Sequence, residues 1–290
     1  MDRDQVLAAL AQWGRDFTMD MIQGTTALFA PLVAVPDEAR VTRDVIYGPH
    51  PRHRLDIFRP KGTAPAPCVL FVHGGGFVMG DKGAAGAPFQ NNIGAWAMGE
   101  GFVGATMTYR LAPEAKWPDG RNDVISAILH LAEHAEEYLI DPERIFIMGT
   151  SAGATHVADT IAAPGDAAGR IAGAVLLSGI YDMEIAERDQ FKPAYYGEDK
   201  STWTKASSLP GLAASPVPCL FTVSELDPPD FQRQATALVS AWVAEKGRWP
   251  RIIQLAGHNH LSSASQIGST IDGLGAEIAS FVRAPDAHSD

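Results

Sequence analysis

Short apolar runs closed off by turn residues recur along this chain. They alternate with longer stretches in which apolar positions return every three or four residues. The runs fall at 68–72 (CVLFV), 144–148 (RIFIM), 171–178 (IAGAVLLS), 217–223 (VPCLFTV) and 251–255 (RIIQL). The first four lack a strict apolar/polar alternation, which is how strands covered on both faces of a parallel sheet read. Between them, 152–163 is an Ala-rich helix stopped by Pro164-Gly165, and 231–245 is a second helix. Residues 43–47 and 54–58 form an initial hairpin. Strands alternating with helices predict an α/β class with a mostly parallel sheet flanked by helices. Two stretches stand outside the alternation. Residues 1–40 read as one or two helices with apolar positions at Phe17, Met21, Ile22, Leu28 and Phe29. Residues 182–214 form a long insertion carrying Phe191, Tyr195, Tyr196 and Trp203, and insertions of that length usually carry function. The predicted division is a helical segment at 1–40, an α/β domain at 41–283 interrupted at 182–214, and a frayed tail at 284–290.

The candidate chemistry sits where two of these strands end. The run at 144–148 leads into Gly149-Thr150-Ser151-Ala152-Gly153, and a helix follows. This is G-x-S-x-G in the strand–turn–helix setting that lifts a serine hydroxyl above a sheet edge, where a base can reach it. The run at 68–72 ends in His73-Gly74-Gly75-Gly76-Phe77, a loop whose glycines let backbone N–H groups approach a ligand closely. It fits neither G-x-x-x-x-G-K-[ST] nor G-x-G-x-x-G, so phosphate and dinucleotide cradles are set aside. His73 reads as a residue that orients the loop and not as the base.

A serine of this kind needs an acid and then a histidine, in that chain order. Ser224-Glu225-Leu226-Asp227-Pro228-Pro229 closes the strand at 217–223, and Asp227 is placed to orient an imidazole. Glu225 reads as a loop charge and Asp230 as the N-cap of the helix at 231–245. Two histidines, His258 and His260, lie in the loop after 251–255 and compete for the role of base. The remaining polar residues read more plainly. His156 packs inside the elbow helix, His130 and His134 lie four apart on a solvated face, Asp119 and Asp123 are helix-start charges, and Arg121 is on the surface. No H-E-x-x-H or C-x-x-C accompanies the H-x-H pair, so no metal or other cofactor is expected.

H-G-G-G-F at 73–77, Y-R-L-A-P-E at 109–114 and G-T-S-A-G at 149–153 together resemble the hormone-sensitive-lipase-like group of α/β-hydrolase esterases. The resemblance runs from about Val45 to about Phe281. It implies an α/β-hydrolase fold and an oxyanion hole of backbone N–H groups from Gly75, Gly76 and Ala152. The Asp227-Pro228 pair resembles the group's D-P turn, and the apolar residue after the histidine favours His260, followed by Leu261. Thr150 departs from the Asp usual before the serine. The ending Gly257-His258-Asn259-His260-Leu261-Ser262 looks more like feruloyl-esterase-like and arylformamidase-like relatives. In such enzymes the extra segments form a cap, which implies a pocket walled by Phe17, Met21, Ile22, Phe29, Phe77, Tyr195 and Tyr196. The implied activity is a serine carboxylesterase acting through an acyl-enzyme on small, largely neutral short-chain or aryl esters. An amidase or arylformamidase with the same triad is the alternative, and a non-catalytic small-molecule receptor on the same fold is the reading from another class.

Composition narrows the partners. A chain of 290 residues, 46% hydrophobic and 20% charged, can bury one large core. A net charge of -11 with no basic cluster argues against nucleic acid and anionic membranes, leaving a small-molecule ester as partner, and a homodimer is compatible. The two cysteines, Cys68 and Cys219, fall inside predicted core strands and read as small hydrophobes in a reducing compartment. The acidic start Met1-Asp2-Arg3-Asp4, with no long apolar run after it, predicts neither a secretory signal nor a membrane span, hence a cytoplasmic protein.

Overall fold

The apolar runs become the strands of one sheet because each buries alternate side chains on opposite faces. A computed structural model describes residues 1–285 apart from 164, 166 and 167. It opens with helices α1 (Arg3–Ala11) and α2 (Met19–Phe29), then the hairpin β1 (Val41–Ile46) and β2 (Arg54–Phe58). There follow β3 (Ala66–Val72), α3 (Asn91–Gly99), β4 (Val103–Thr108), α4 (Asp119–Glu133), α5 (Ala135–Tyr138), β5 (Ile140–Thr150), α6 (Ala152–Ala162) and β6 (Ile171–Leu177). The insertion supplies α7 (Lys192–Tyr196), a 3-10 turn at Lys200–Ala206 and α8 (Leu209–Ala214). The chain closes with β7 (Cys219–Leu226), α9 (Pro229–Lys246), β8 (Arg251–Asn259), α10 (Ser262–Ser265) and α11 (Gly275–Arg283).

Among the described residues the sheet has eight strands in the order β1-β2-β4-β3-β5-β6-β7-β8. The β1–β2 and β2–β4 pairs are antiparallel, and every pair from β4 to β8 is parallel. In β3 and β5, Cys68, Leu70, Val72, Ile145 and Ile147 enter the core under α4, α6, α8 and α9. Val69, Phe71, Phe146 and Met148 enter the opposite core with Trp96 of α3 and Phe281 of α11. Each such side chain contributes about 1.5–3 kcal/mol by leaving water. Both cysteines are buried and free, and burial pushes their thiols up to about 12.

β3 lies between β4 and β5, so the strand order reverses there. A crevice opens at such a switch point beyond the strands' C-terminal ends. Val72, the last residue of β3, is level with Gly149 of β5, which brings the glycine loop beside the elbow.

Several polar readings change in three dimensions. Asp230 does not cap α9; Pro228 occupies that position, and the buried Asp230 carboxylate instead lies 3.2 Å from the Lys192 ammonium. Asp123 is no loose helix-start charge, because Arg110 grips its buried carboxylate with Nη2 at 2.7 Å and its own backbone N–H at 2.8 Å. Arg121 stacks its guanidinium over Trp117 and is half-buried. His130 and His134 stack on each other at 4.1 Å, half-buried beside Tyr138. The predicted stop at Pro164 and most of the predicted tail, residues 286–290, lie outside the described residues. Among the described residues no helix is long and apolar enough to cross a membrane.

Candidate active site

Ser151 follows the last residue of β5 with φ 54° and ψ -121°, a left-handed conformation that a serine adopts only when its surroundings enforce it. Its N–H donates to Leu177 O at 2.9 Å, and its carbonyl accepts from Thr155 N–H at 3.1 Å. Gly153 lets α6 start flush against β3, since a Cβ there would sit 2.1 Å from Val72 O. The glycine loop lies directly alongside: a Cβ on Gly74 would fall 3.2 Å from the Ser151 Cβ. Gly75 has φ 121°, and a side chain there would collide with Met79 O at 2.0 Å.

That loop is braced from behind. His73 is buried, its Nδ1 2.6 Å from Gly74 O and its ring stacked on Tyr109 at 4.3 Å. The Tyr109 hydroxyl donates to His73 O at 3.0 Å. Arg52 donates to Tyr109 O at 2.7 Å and to Gly80 O at 2.8 Å. Burial lowers the His73 imidazole to about 4, so the ring is neutral near pH 7 and suited to bracing. His156 in α6 is also buried as read, lowered to about 3 first by burial and then by His73.

The acid and the histidine meet across the ends of β7 and β8. Asp227 is fully buried, and its Oδ1 lies 2.6 Å from His260 Nδ1. Oδ2 accepts from the Ser178 hydroxyl at 2.7 Å and from Ser224 N–H at 2.7 Å. His260 Nε2 is buried without a hydrogen-bond partner, and such contacts often tighten only once substrate is bound. His258 turns the other way, with Nδ1 3.1 Å from Ser262 Oγ, and burial lowers it to about 4. It is neither exposed nor near Asp227 in its bonding. Glu225 is not in a loop: β7 runs on through it to Leu226, and its exposed carboxylate accepts Gly257 N–H at 2.7 Å.

Aromatic rings surround the His260 imidazole. Phe231 lies 4.1 Å from it, centroid to centroid, and Phe17 meets it edge-on at 5.5 Å while remaining 46% exposed. Phe191 presses on the glycine loop, its Cγ 2.9 Å from where a Gly76 Cβ would be. Asn259 Nδ2 donates to Thr25 Oγ1 at 2.8 Å, tying α2 to the loop that carries His260. The other expected pocket residues scatter. Phe29 packs with Val6 and Leu10 beneath α1, and Met21 is buried in α2 with Ile22 half-buried beside it. Phe77 is buried against Ala152 and stacks on Tyr195 at 4.7 Å and 4°. Tyr195 accepts Gly120 N–H at 3.1 Å, and with Tyr196, Trp117 and Trp203 it lines a separate cleft of about 370 Å³. Ser178, Arg52 and Phe231 were not singled out from the sequence, and each acts through a partner distant along the chain; Ser224, also passed over, meets Asp227 three residues on.

A family model described as BD-FAE matches residues 55–182, less than half of the chain. The chain is 38% identical over 122 residues to the probable isoprenylcysteine alpha-carbonyl methylesterase ICMEL1 of Arabidopsis thaliana, covering 42% of this chain and 25% of that protein. It is 34% identical over 113 residues to the esterase LipC of Mycobacterium tuberculosis, covering 38% and 27%. The chain thus spans about a quarter of the length of these curated relatives. Among solved structures, an arylesterase superposes with TM-score 0.70 at 18% identity, covering 97% of each chain. The carboxylesterase EstE1, cloned from a metagenomic library, gives 0.70 at 21% identity, covering 96% of this chain and 99% of that one. The mostly parallel eight-stranded sheet, its flanking helices and its superposition on these esterases define an α/β-hydrolase fold.

Proposed function

We propose that the chain is a cofactor-independent serine carboxylesterase with Ser151, His260 and Asp227 as its triad. The observation that carries this reading is the 2.6 Å Asp227–His260 contact, which leaves the buried His260 Nε2 without a hydrogen-bond partner, together with the elbow conformation of Ser151. Ser151 Oγ attacks the ester carbonyl carbon while His260 Nε2 takes its proton. Asp227 keeps the Nδ1–H tautomer and balances the imidazolium charge. The carbonyl oxygen becomes negative and accepts hydrogen bonds from the N–H groups of Gly75, Gly76 and Ala152. The C–O bond to the alcohol then breaks, and His260 returns the proton to the departing oxygen. Water repeats the sequence on the acyl-enzyme, releasing the acid and restoring Ser151.

The groups that reach His260 and the glycine loop from outside are Phe17, Phe231 and Phe191. These rings favour a small, largely neutral ester, short-chain or aryl. Hydrolysis of an activated aryl acetate tests the activity, and covalent labelling by an organophosphate tests the residue. Ser151→Ala should lower kcat by about 10⁴-fold or more while leaving the fold intact. Label found on a residue other than Ser151 would refute the assignment.

A further inference from the structure

The Asp227 carboxylate uses its two oxygens differently. Oδ1 faces His260, whereas Oδ2 takes the Ser178 hydroxyl and the Ser224 N–H, each at 2.7 Å. Ser178 follows the last residue of β6, is 4% exposed, and holds φ at 50°. That left-handed conformation suits glycine better than serine. What serine adds there is the hydroxyl, and the hydroxyl is spent on Asp227. The residue before it, Leu177, accepts the Ser151 N–H through its carbonyl at 2.9 Å, and Ser178 N–H itself donates to Thr222 O at 3.2 Å. Two consecutive residues at the end of β6 therefore hold the nucleophile on one side and the acid on the other.

We propose that Ser178 is a positioning residue for the reaction, fixing the rotation of the Asp227 carboxylate so that Oδ1 stays on His260; this rests on the triad reading above. A carboxylate torsion is broad and roughly two-fold, so packing alone specifies it poorly. Two donors opposite the imidazole lock the carboxylate plane, because any intermediate rotation stretches both bonds inside a buried site, while a half-turn only exchanges the equivalent oxygens. Removing the hydroxyl leaves one donor. The carboxylate then rocks, and His260 loses the fixed orientation its Nε2 needs. The carboxylate also disperses less of its charge into donors, which stabilises the imidazolium and raises the ionisation of His260.

The test uses Ser178→Gly, which removes the hydroxyl and relieves the backbone, with Ser178→Cys as a near-isosteric weaker donor. With an activated aryl acetate, Ser178→Gly should lower kcat by about 10- to 100-fold, less than the ~10⁴-fold that follows a wrong histidine tautomer, with KM nearly unchanged. The acid limb of kcat/KM should move up by about half a pH unit. The downfield Nδ1 proton of His260, read by NMR without turnover, should shift or broaden. The melting temperature should hold or rise, and Ser178→Cys should fall between Gly and wild type in kcat. If the glycine variant does not fold, the cysteine variant alone decides, through the same limb and proton resonance. Unchanged kcat, limb and resonance in the variants would overturn the role of Ser178 while leaving the triad standing. A wild type that neither hydrolyses the ester nor takes organophosphate overturns the triad reading, and the role of Ser178 with it.

Discussion

Acidification from pH 6 to pH 5 should destabilise the fold by an amount that four buried groups determine. His73, His156 and His258 are held neutral by burial, lowered to about 4, about 3 and about 4 from an ordinary value of 6.5. In the unfolded chain each takes up a proton as pH falls through 6.5, while in the folded chain none does until roughly pH 4. Between those limits the unfolded state binds up to three more protons, so stability falls with pH. Asp159, buried in α6, works against this. Its carboxyl is raised by burial from 3.8 to about 7, so the folded chain keeps a proton that the unfolded chain has released. The net difference approaches two protons, and at about 1.4 kcal/mol per proton and pH unit the loss is about 2 kcal/mol between pH 6 and 5. Urea unfolding followed through the six tryptophans measures it directly. Asp159→Asn removes the opposing group and should steepen the slope by about 1.4 kcal/mol per unit. Stability that is flat or rising on going from pH 6 to 5 would refute the reasoning, because it would mean that the three rings are protonated inside the fold.

Two further outcomes test the site. His260→Ala should abolish ester hydrolysis and the ionisation on the acid limb of kcat/KM, whereas His258→Ala, which loses the bond to Ser262, should keep that limb and lose mainly stability; a dead His258 variant with an active His260 variant would exchange their roles. Phe17→Ala, which alters a half-exposed ring at the His260 edge, should raise KM more for a butanoyl than for an acetyl aryl ester, by at most about 0.8 kcal/mol per methylene it covers; an unchanged chain-length profile would remove Phe17 from the pocket.

What could be read from the sequence was what depends on neighbours along the chain. The strand, elbow and helix around Ser151 are contiguous, and their glycines meet backbone a few residues away or on the next strand. The same holds for the hairpin and for the apolar strands β3, β5, β6 and β7. Contacts that close long loops were not readable. Ser178 reaches Asp227 across 49 residues, and Asp123 looked like an ordinary charge near a helix start until Arg110 closed on it. The two histidines show the limit most clearly. The sequence places both in a loop after a strand ending at 255, with the following Leu261 favouring His260, but His258 lies within β8. β8 ends at Asn259 and the chain turns into α10. The turn sends His260 to Asp227 and leaves His258 with Ser262.

The pocket was read least well, for a physical reason. An apolar residue in a capping helix can face the substrate or the helix's own support, and the two demand the same side chains. Phe29 and Met21 are buried because α1, α2 and the sheet need them, whereas Phe17 stays half-exposed because it lies before α2, in the link where nothing covers it. The same division holds in the insertion. Tyr195 is committed to Phe77 and Gly120, while Phe191, just before α7, lies on the glycine loop. The rings that reach the site therefore come from the ends of helices and the links between them, Phe231 from the first turn of α9 included. Ser151, Asp227 and His260 stand instead at the C-terminal ends of sheet strands or just beyond them. Changes in the links at Phe17 and Phe191 should thus alter which ester is accepted while leaving the hydrolytic geometry as the sheet sets it.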